Sequence, residues 1–187
     1  MFSPDPKLSK EQILSALDAL NTHLEKKGVI GELCIFGGAT MMLAFDARPS
    51  TRDVDAVFVP KSEISEAAAL VAVQMGLPAS WLNDGVKGFV TDTGELTNDG
   101  MPQWPHLRIF RPSTRYLLAM KCMASRVTGY DTGGDGEDIL KLCKELGFST
   151  SEQVLDVVSN YYPAHLILAK TAFFIEEVIE SLKGGAS

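Results

Sequence analysis

Cysteine is scarce and scattered in this chain. Its three residues, Cys34, Cys122 and Cys143, fall singly inside apolar or helical patterns, with no C-x-x-C pair among them. That excludes a disulfide framework and a cysteine-rich metal site, and predicts three reduced, packing thiols in a cytoplasmic protein. Long hydrophobic runs are missing too. None approaches the roughly 20 apolar residues of a membrane helix, and the opening "MFSPDPKLSK" has no apolar signal-like core. The expectation is a cytoplasmic chain with no membrane partner. An overall basic balance is also absent: 17 Lys and Arg stand against 24 Asp and Glu, for a net charge of -7. A surface coated for nucleic acid is thereby excluded, while a local basic cleft remains open.

Acidic residues are missing in one place of interest. From Met101 to Tyr130 there is no Asp or Glu, yet Arg108, Arg111, Arg115, Lys121 and Arg126 all lie there. The stretch predicts a local positive surface suited to a triphosphate or an RNA end, unless carboxylates from other segments cover it. Aromatic residues make up only 8% of the chain and are thinly placed here (Trp104, Phe110, Tyr116), so stacking of an extended single strand is not indicated.

What is present is a normal globular composition, 45% hydrophobic over 187 residues, enough for one core domain with an appended region. "LSKEQILSALDALNTHLEKKG" predicts a first helix. Ser9 and Gln12 form a capping box, Ile13, Leu17, Leu20 and Leu24 share a face, and Gly28 ends it. "ELCIF" (32–36) and "DVDAVFV" (53–59) read as strands, with a short helix over 38–46 between them and Pro60 closing the second. Residues 62–76 and 80–88 read as helices, 91–105 as an exposed loop or irregular hairpin, and "HLRIF" (106–110) as a strand. Helices follow at 113–127, from "EDILKLCKELG", from "SEQVLDVVSNYY", and from "PAHLILAKTAFFIEEVIESLK" with Pro163 in its first turn. The order predicts an α/β (α+β) fold: a small mixed sheet in residues 1–112, then a helical region in 113–187.

The chemistry concentrates in "CIFGGATMMLAFDARPSTRDVDAVFVP", residues 34–60. Asp53 and Asp55, two apart on a strand, project from one face. Two carboxylates that close repel each other unless a cation sits between them, and Mg²⁺ favours such hard oxygen ligands. Gly37 and Gly38 leave one strand and begin a helix, where backbone N–H groups attract phosphate. Arg48, Thr51 and Arg52 of "RPSTR" add guanidinium and hydroxyl groups beside the carboxylates. A phosphate cradle, a metal pair and arginines together are what phosphoryl or nucleotidyl transfer requires. His106 and His165 read as packed polar residues, and His23 as a surface one.

Strand, Gly-Gly, short helix and D-x-D on the next strand together resemble the signature of the nucleotidyltransferase superfamily of the polymerase-beta type. The form "GGATMMLAFDARPSTRDVDAVFV" is similar to its branch of AbiEii-like abortive-infection toxins and related nucleotidyltransferase-like proteins. The resemblance runs through "WLNDGVKGF" to "RPSTRYLLAMKCMASRVTGYDTGGDGEDILKL", covering residues 30 to 146. It implies that Gly37 and Gly38 face a triphosphate, that Asp53 and Asp55 hold Mg²⁺ or Mn²⁺, and that Lys121 contacts a phosphate. Asp135 and Asp138 match the family's later acidic pair, although carboxylates at a helix start are also stabilised by the helix dipole alone. Asn83 and Asp84 read first as caps or braces and, with Lys87, second as site residues. Family members that use two metals usually carry a third carboxylate on a later strand. Here "HLRIF" offers His106 and Arg108 instead, which leaves Asp84 as a substitute or a site of two carboxylates.

The resemblance implies a magnesium-dependent enzyme that moves an NMP from an NTP to an RNA (tRNA) or protein hydroxyl, in a toxin–antitoxin or phage-defence setting with a cognate partner. The alternative it carries is a nucleotidyltransferase-like binding module, without turnover, that serves as antitoxin, sensor or scaffold. A third reading takes the acidic "IEEVIESLK" helix as the partner face of a helical interaction protein.

Overall fold

The computed structural model describes residues 7–85, 94–125 and 134–184. They fall into two compact units: the first runs to residue 85 and takes in Leu96–Arg111, and the second takes in residues 94, 95 and 112–184. The fold is mixed α/β.

In the first unit, β1 (Leu8–Ser9) leads into α1 (Lys10–Lys26), and β2 (Gly31–Ile35) into α2 (Gly37–Phe45). Then come β3 (Ser50–Thr51), β4 (Val54–Val59), α3 (Lys61–Met75), β5 (Leu82–Asn83), β6 (Leu96–Thr97) and β7 (Leu107–Pro112). Five of the strands form one sheet in the order β5-β4-β2-β7-β6. β2 runs antiparallel to β4 and parallel to β7, and β4 runs parallel to β5. One sheet face carries Leu33, Ile35, Val54, Ala56, Leu107 and Ile109, all buried against the apolar stripes of α1 and α3. Alternation along the strands puts the intervening residues, Cys34, Asp55, Val57, Arg108 and Phe110, on the other face.

The first helix is built as its local signals dictate. Ser9 accepts from the Gln12 backbone while the Gln12 side chain accepts from Ser9, closing the capping box. Ile13, Leu17, Leu20 and Leu24 are fully buried. The predicted helix over 80–88 is not formed in its described part. Instead Leu82–Asn83 joins the sheet edge as β5, with Val54 donating to the Trp81 carbonyl at 2.7 Å and the buried Trp81 indole donating to the Ala68 carbonyl at 3.0 Å. A short apolar run has no period of its own to tell strand from helix, and pairing with β4 decides the matter. "RPSTR" is likewise more than a loop, because Ser50 and Thr51 pair antiparallel with Ser9 and Leu8. Within 91–105, Met101 is buried in the core, and the Gln103 amide exchanges two hydrogen bonds with the backbone of Ile109.

The second unit holds α4 (Thr114–Ala124), α5 (Asp135–Leu146), α6 (Ser151–Tyr161) and α7 (Ala169–Gly184), with α4 packed against the other three. Every residue from Tyr116 to Cys122 is buried, so α4 is the central rod of this unit. The single helix predicted from Pro163 is divided: a 3-10 turn at Ala164–Leu166 ends in an extended Ile167, and α7 begins only at Ala169. His165 lies exposed on that turn, where a packed position was expected.

Candidate functional site

β2 and β4 remain hydrogen-bonded one step past β2, where the Phe36 amide donates to the Asp55 carbonyl at 2.8 Å. This brings the start of α2 beside the aspartates. Gly37 has φ +62°, a left-handed conformation that opens the turn, and a Cβ added there would stand 3.3 Å from Asp55 Oδ2. At Gly38 a Cβ would stand 2.8 Å from Thr51 Oγ1 and 3.8 Å from Arg48 Nη1. Gly37 is therefore favoured by its backbone conformation and Gly38 by close approach, and they face the residue types the sequence had singled out. Phe36 gives α2 no side-chain cap, so its N-cap residue occupies none of the first-turn N–H groups.

Asp55 lies on β4, while Asp53 lies just before its first residue. The two-residue alternation still sets both on one side, each half-buried, with Val54 and Ala56 inward. The Thr51 hydroxyl donates to the Asp53 carbonyl at 3.3 Å. Burial first, and the negative charge of Asp55 second, push the Asp53 carboxyl above its ordinary range, against smaller opposing pulls from Arg52 and Asn83. Arg52 itself is exposed. Two half-buried carboxylates on one side of a strand, one of them made costlier to ionise by the other, suit a divalent cation, so these residues fit the Mg²⁺ or Mn²⁺ that the resemblance implies.

Asn83 is the site residue that the sequence underrated. Its Nδ2 donates to Asp53 Oδ2 at 3.1 Å, and its backbone pairs in register with Asp55. The signal, a polar Asn-Asp after Trp-Leu, was visible, but only the β4–β5 pairing says which way it points. Asp84, beside it, is held by Lys61 at 2.6 Å. Among the described residues no group of three or more His, Cys, Asp or Glu side chains is placed to hold a metal ion. Lys87 lies outside the described residues.

The later predicted residues meet in the second unit. Lys121 Nζ is 2.6 Å from Asp138 Oδ2 and 3.3 Å from Asp135 Oδ1, with the Lys121 and Asp138 side chains only 10% and 2% exposed. The three are thus joined as an ion cluster between α4 and α5, with Lys121 and Asp138 buried and Asp135 at its half-exposed edge, where a helix-dipole role alone would have left the carboxylates apart from the lysine.

The described cations of the acid-free stretch do not gather as a basic face within either unit. In the first, Arg108 pairs with Glu32 at 3.3 Å. Arg111 is buried, donating to the Asp99 carbonyl at 2.8 Å and lying over the Phe45 ring. In the second, Arg115 lies over Phe148 and Lys121 is held as above. Arg126 lies outside the described residues.

Compared with protein-family models, with curated proteins and with solved structures, the chain matches none.

Proposed function

We propose that this chain is a metal-dependent nucleotidyltransferase, moving an NMP from an NTP to a hydroxyl of an RNA such as tRNA or of a protein. One observation carries the reading: the Gly37-Gly38 turn opening α2 packs within a Cβ's reach of Asp55 and Thr51, so a helix start free of side-chain caps adjoins a carboxylate pair. Anionic phosphate is attracted to such N–H groups, and a divalent cation to such carboxylates. Bound at Asp53 and Asp55, Mg²⁺ or Mn²⁺ would neutralise charge that builds on the phosphates during transfer.

The residues of the chain orient the reactants. Gly37 and Gly38 admit the triphosphate, and Arg48, Thr51 and Arg52 border it. An acceptor oxygen forms a bond to the α-phosphorus, the bond to the bridging α,β-oxygen breaks, and pyrophosphate leaves with that electron pair. The acceptor's hydroxyl proton passes to water. Lys121 with Asp135 and Asp138, in the second unit, corresponds to the later motif of the nucleotidyltransferase signature that the sequence resembles. A toxin–antitoxin or phage-defence role with a cognate partner follows from the same resemblance.

Labelled NTPs incubated with the protein, Mg²⁺ or Mn²⁺, and total tRNA or protein should yield label transfer. The transfer should fall by about 100-fold or more in Asp53→Asn and Asp55→Asn. Absence of transfer to any acceptor, together with absence of NTP binding, overturns the reading. A second reading is nucleotide binding without turnover, as antitoxin, sensor or scaffold. The amide of Asn83 against Asp53, where a further carboxylate would strengthen a metal site, favours it. Calorimetry that detects NTP binding in a protein without transfer would select this alternative.

A further inference from the structure

The Asn83 side chain has one orientation available to it. The Gly85 backbone N–H can only donate, and it meets Asn83 Oδ1 at 2.9 Å. The amide oxygen is therefore fixed toward Gly85, and the NH₂ group is turned to Asp53 Oδ2 at 3.1 Å. The backbone is fixed as well, because Asn83 lies opposite Asp55 in the parallel β4–β5 pairing. Behind it, Trp81 is fully buried and hydrogen-bonded to α3, so the edge strand cannot drift. A locked donor thus holds one oxygen of Asp53, which itself sits just outside the strand and lacks the ladder bonds that steady Asp55.

Resting on the reading of Asp53 and Asp55 as a cation site, we propose that Asn83 is a positioning residue that holds Asp53 Oδ2 so that its other oxygen faces a divalent cation shared with Asp55. A carboxylate hydrogen-bonded on one oxygen presents the other in a single direction, and partners of this kind typically alter metal affinity by about 10-fold to 100-fold when removed. The competing role is purely structural: a brace for the turn of residues 83–85 through the Gly85 N–H.

Two variants separate these roles. Asn83→Ser keeps a short oxygen able to accept from the Gly85 N–H, as hydroxyls do in such turns, but cannot reach Asp53. Asn83→Ala loses both bonds. Full-length wild type, both Asn83 variants and Asp53→Asn are titrated with Mn²⁺ alone, following the resonance of the free ion, and their thermal midpoints are recorded in parallel. The expected result is Mn²⁺ binding by wild type, its loss in Asp53→Asn, and a drop of about 10-fold or more in both Asn83 variants. The Asn83→Ser midpoint should stay close to that of wild type. Wild-type binding that Asp53→Asn abolishes while Asn83→Ser leaves it unchanged overturns the positioning role alone. Failure of the wild type to bind Mn²⁺ overturns the cation reading and this inference with it.

Discussion

At the scale of single residues, burial and a like-charged neighbour make Asp53 costly to ionise in the folded chain. The Asp53 carboxyl is raised above its ordinary value of 3.8 by burial and by Asp55. A carboxyl raised in the folded state favours the fold while protonated, and that contribution is lost as pH rises through the folded value. Asp53→Asn should therefore raise the thermal midpoint at pH 7, modestly, because solvent screens the interaction of two half-exposed carboxylates. The gain should fade as pH drops toward 3.8. Melting curves across pH 3 to 8 check this; a midpoint lowered at pH 7 contradicts it. Gly38 supplies a second test. A methyl there meets Thr51 Oγ1 at 2.8 Å, and a β-branched Thr has little rotamer freedom to withdraw. Gly38→Ala should cost about 1–3 kcal/mol, and Gly38→Ala with Thr51→Ala should cost less than the two single changes summed. Urea titration of the three variants measures the coupling.

At the scale of elements, α4 and α5 are joined through charge as well as through apolar contact. Lys121 lies among Leu117, Leu118 and Met120, all buried, and its ammonium is met by Asp138, 1% exposed. Removing the lysine takes the ion-pair partner at 2.6 Å from a buried carboxylate, so Lys121→Met should cost about 3–5 kcal/mol of stability. Lys121→Met with Asp138→Leu should recover most of that, since a buried pair exchanged for apolar groups of similar size is often neutral. The double variant also separates folding from chemistry: folded yet unable to transfer label, it gives the Lys121–Asp138 pair a role beyond folding. Restored folding together with retained transfer confines the pair to packing. Denaturation and the transfer assay on the same samples decide between them. Helix α1 was readable because its signals are local, with Ser9 and Gln12 three residues apart and the apolar stripe repeating every three to four. β5 was not readable, because two residues at a sheet edge gain their identity from β4, which lies about thirty positions away in the chain.

At the scale of the whole molecule, the three thiols report on opening of the fold. Burial pushes Cys34 up to about 12 and Cys143 up to about 11, and lifts Cys122 by burial and by its neighbour Cys143. All three are buried, one in the first unit and two in the second. Alkylation of native protein at pH 8 should modify none of them at an appreciable rate, and all three should react in denaturant. Mass spectrometry after timed alkylation reads which unit opens first; rapid labelling of Cys34 in the native protein would contradict its burial. Among the described residues no helix is long and apolar enough to cross a membrane, as the short hydrophobic runs had implied. The mixed α/β class, the cap of α1, and the pairing of glycines with aspartates as the place to look were all determined by the sequence itself. Each depends on spacing along the chain, and spacing is written in the residue order. Three things were decided by tertiary structure alone: that Gly37 meets Asp55, that Asn83 turns its amide to Asp53, and that Asp138 reaches Lys121 from the next helix. These contacts join segments distant in sequence, and their directions follow from strand register and helix packing, which no local pattern encodes.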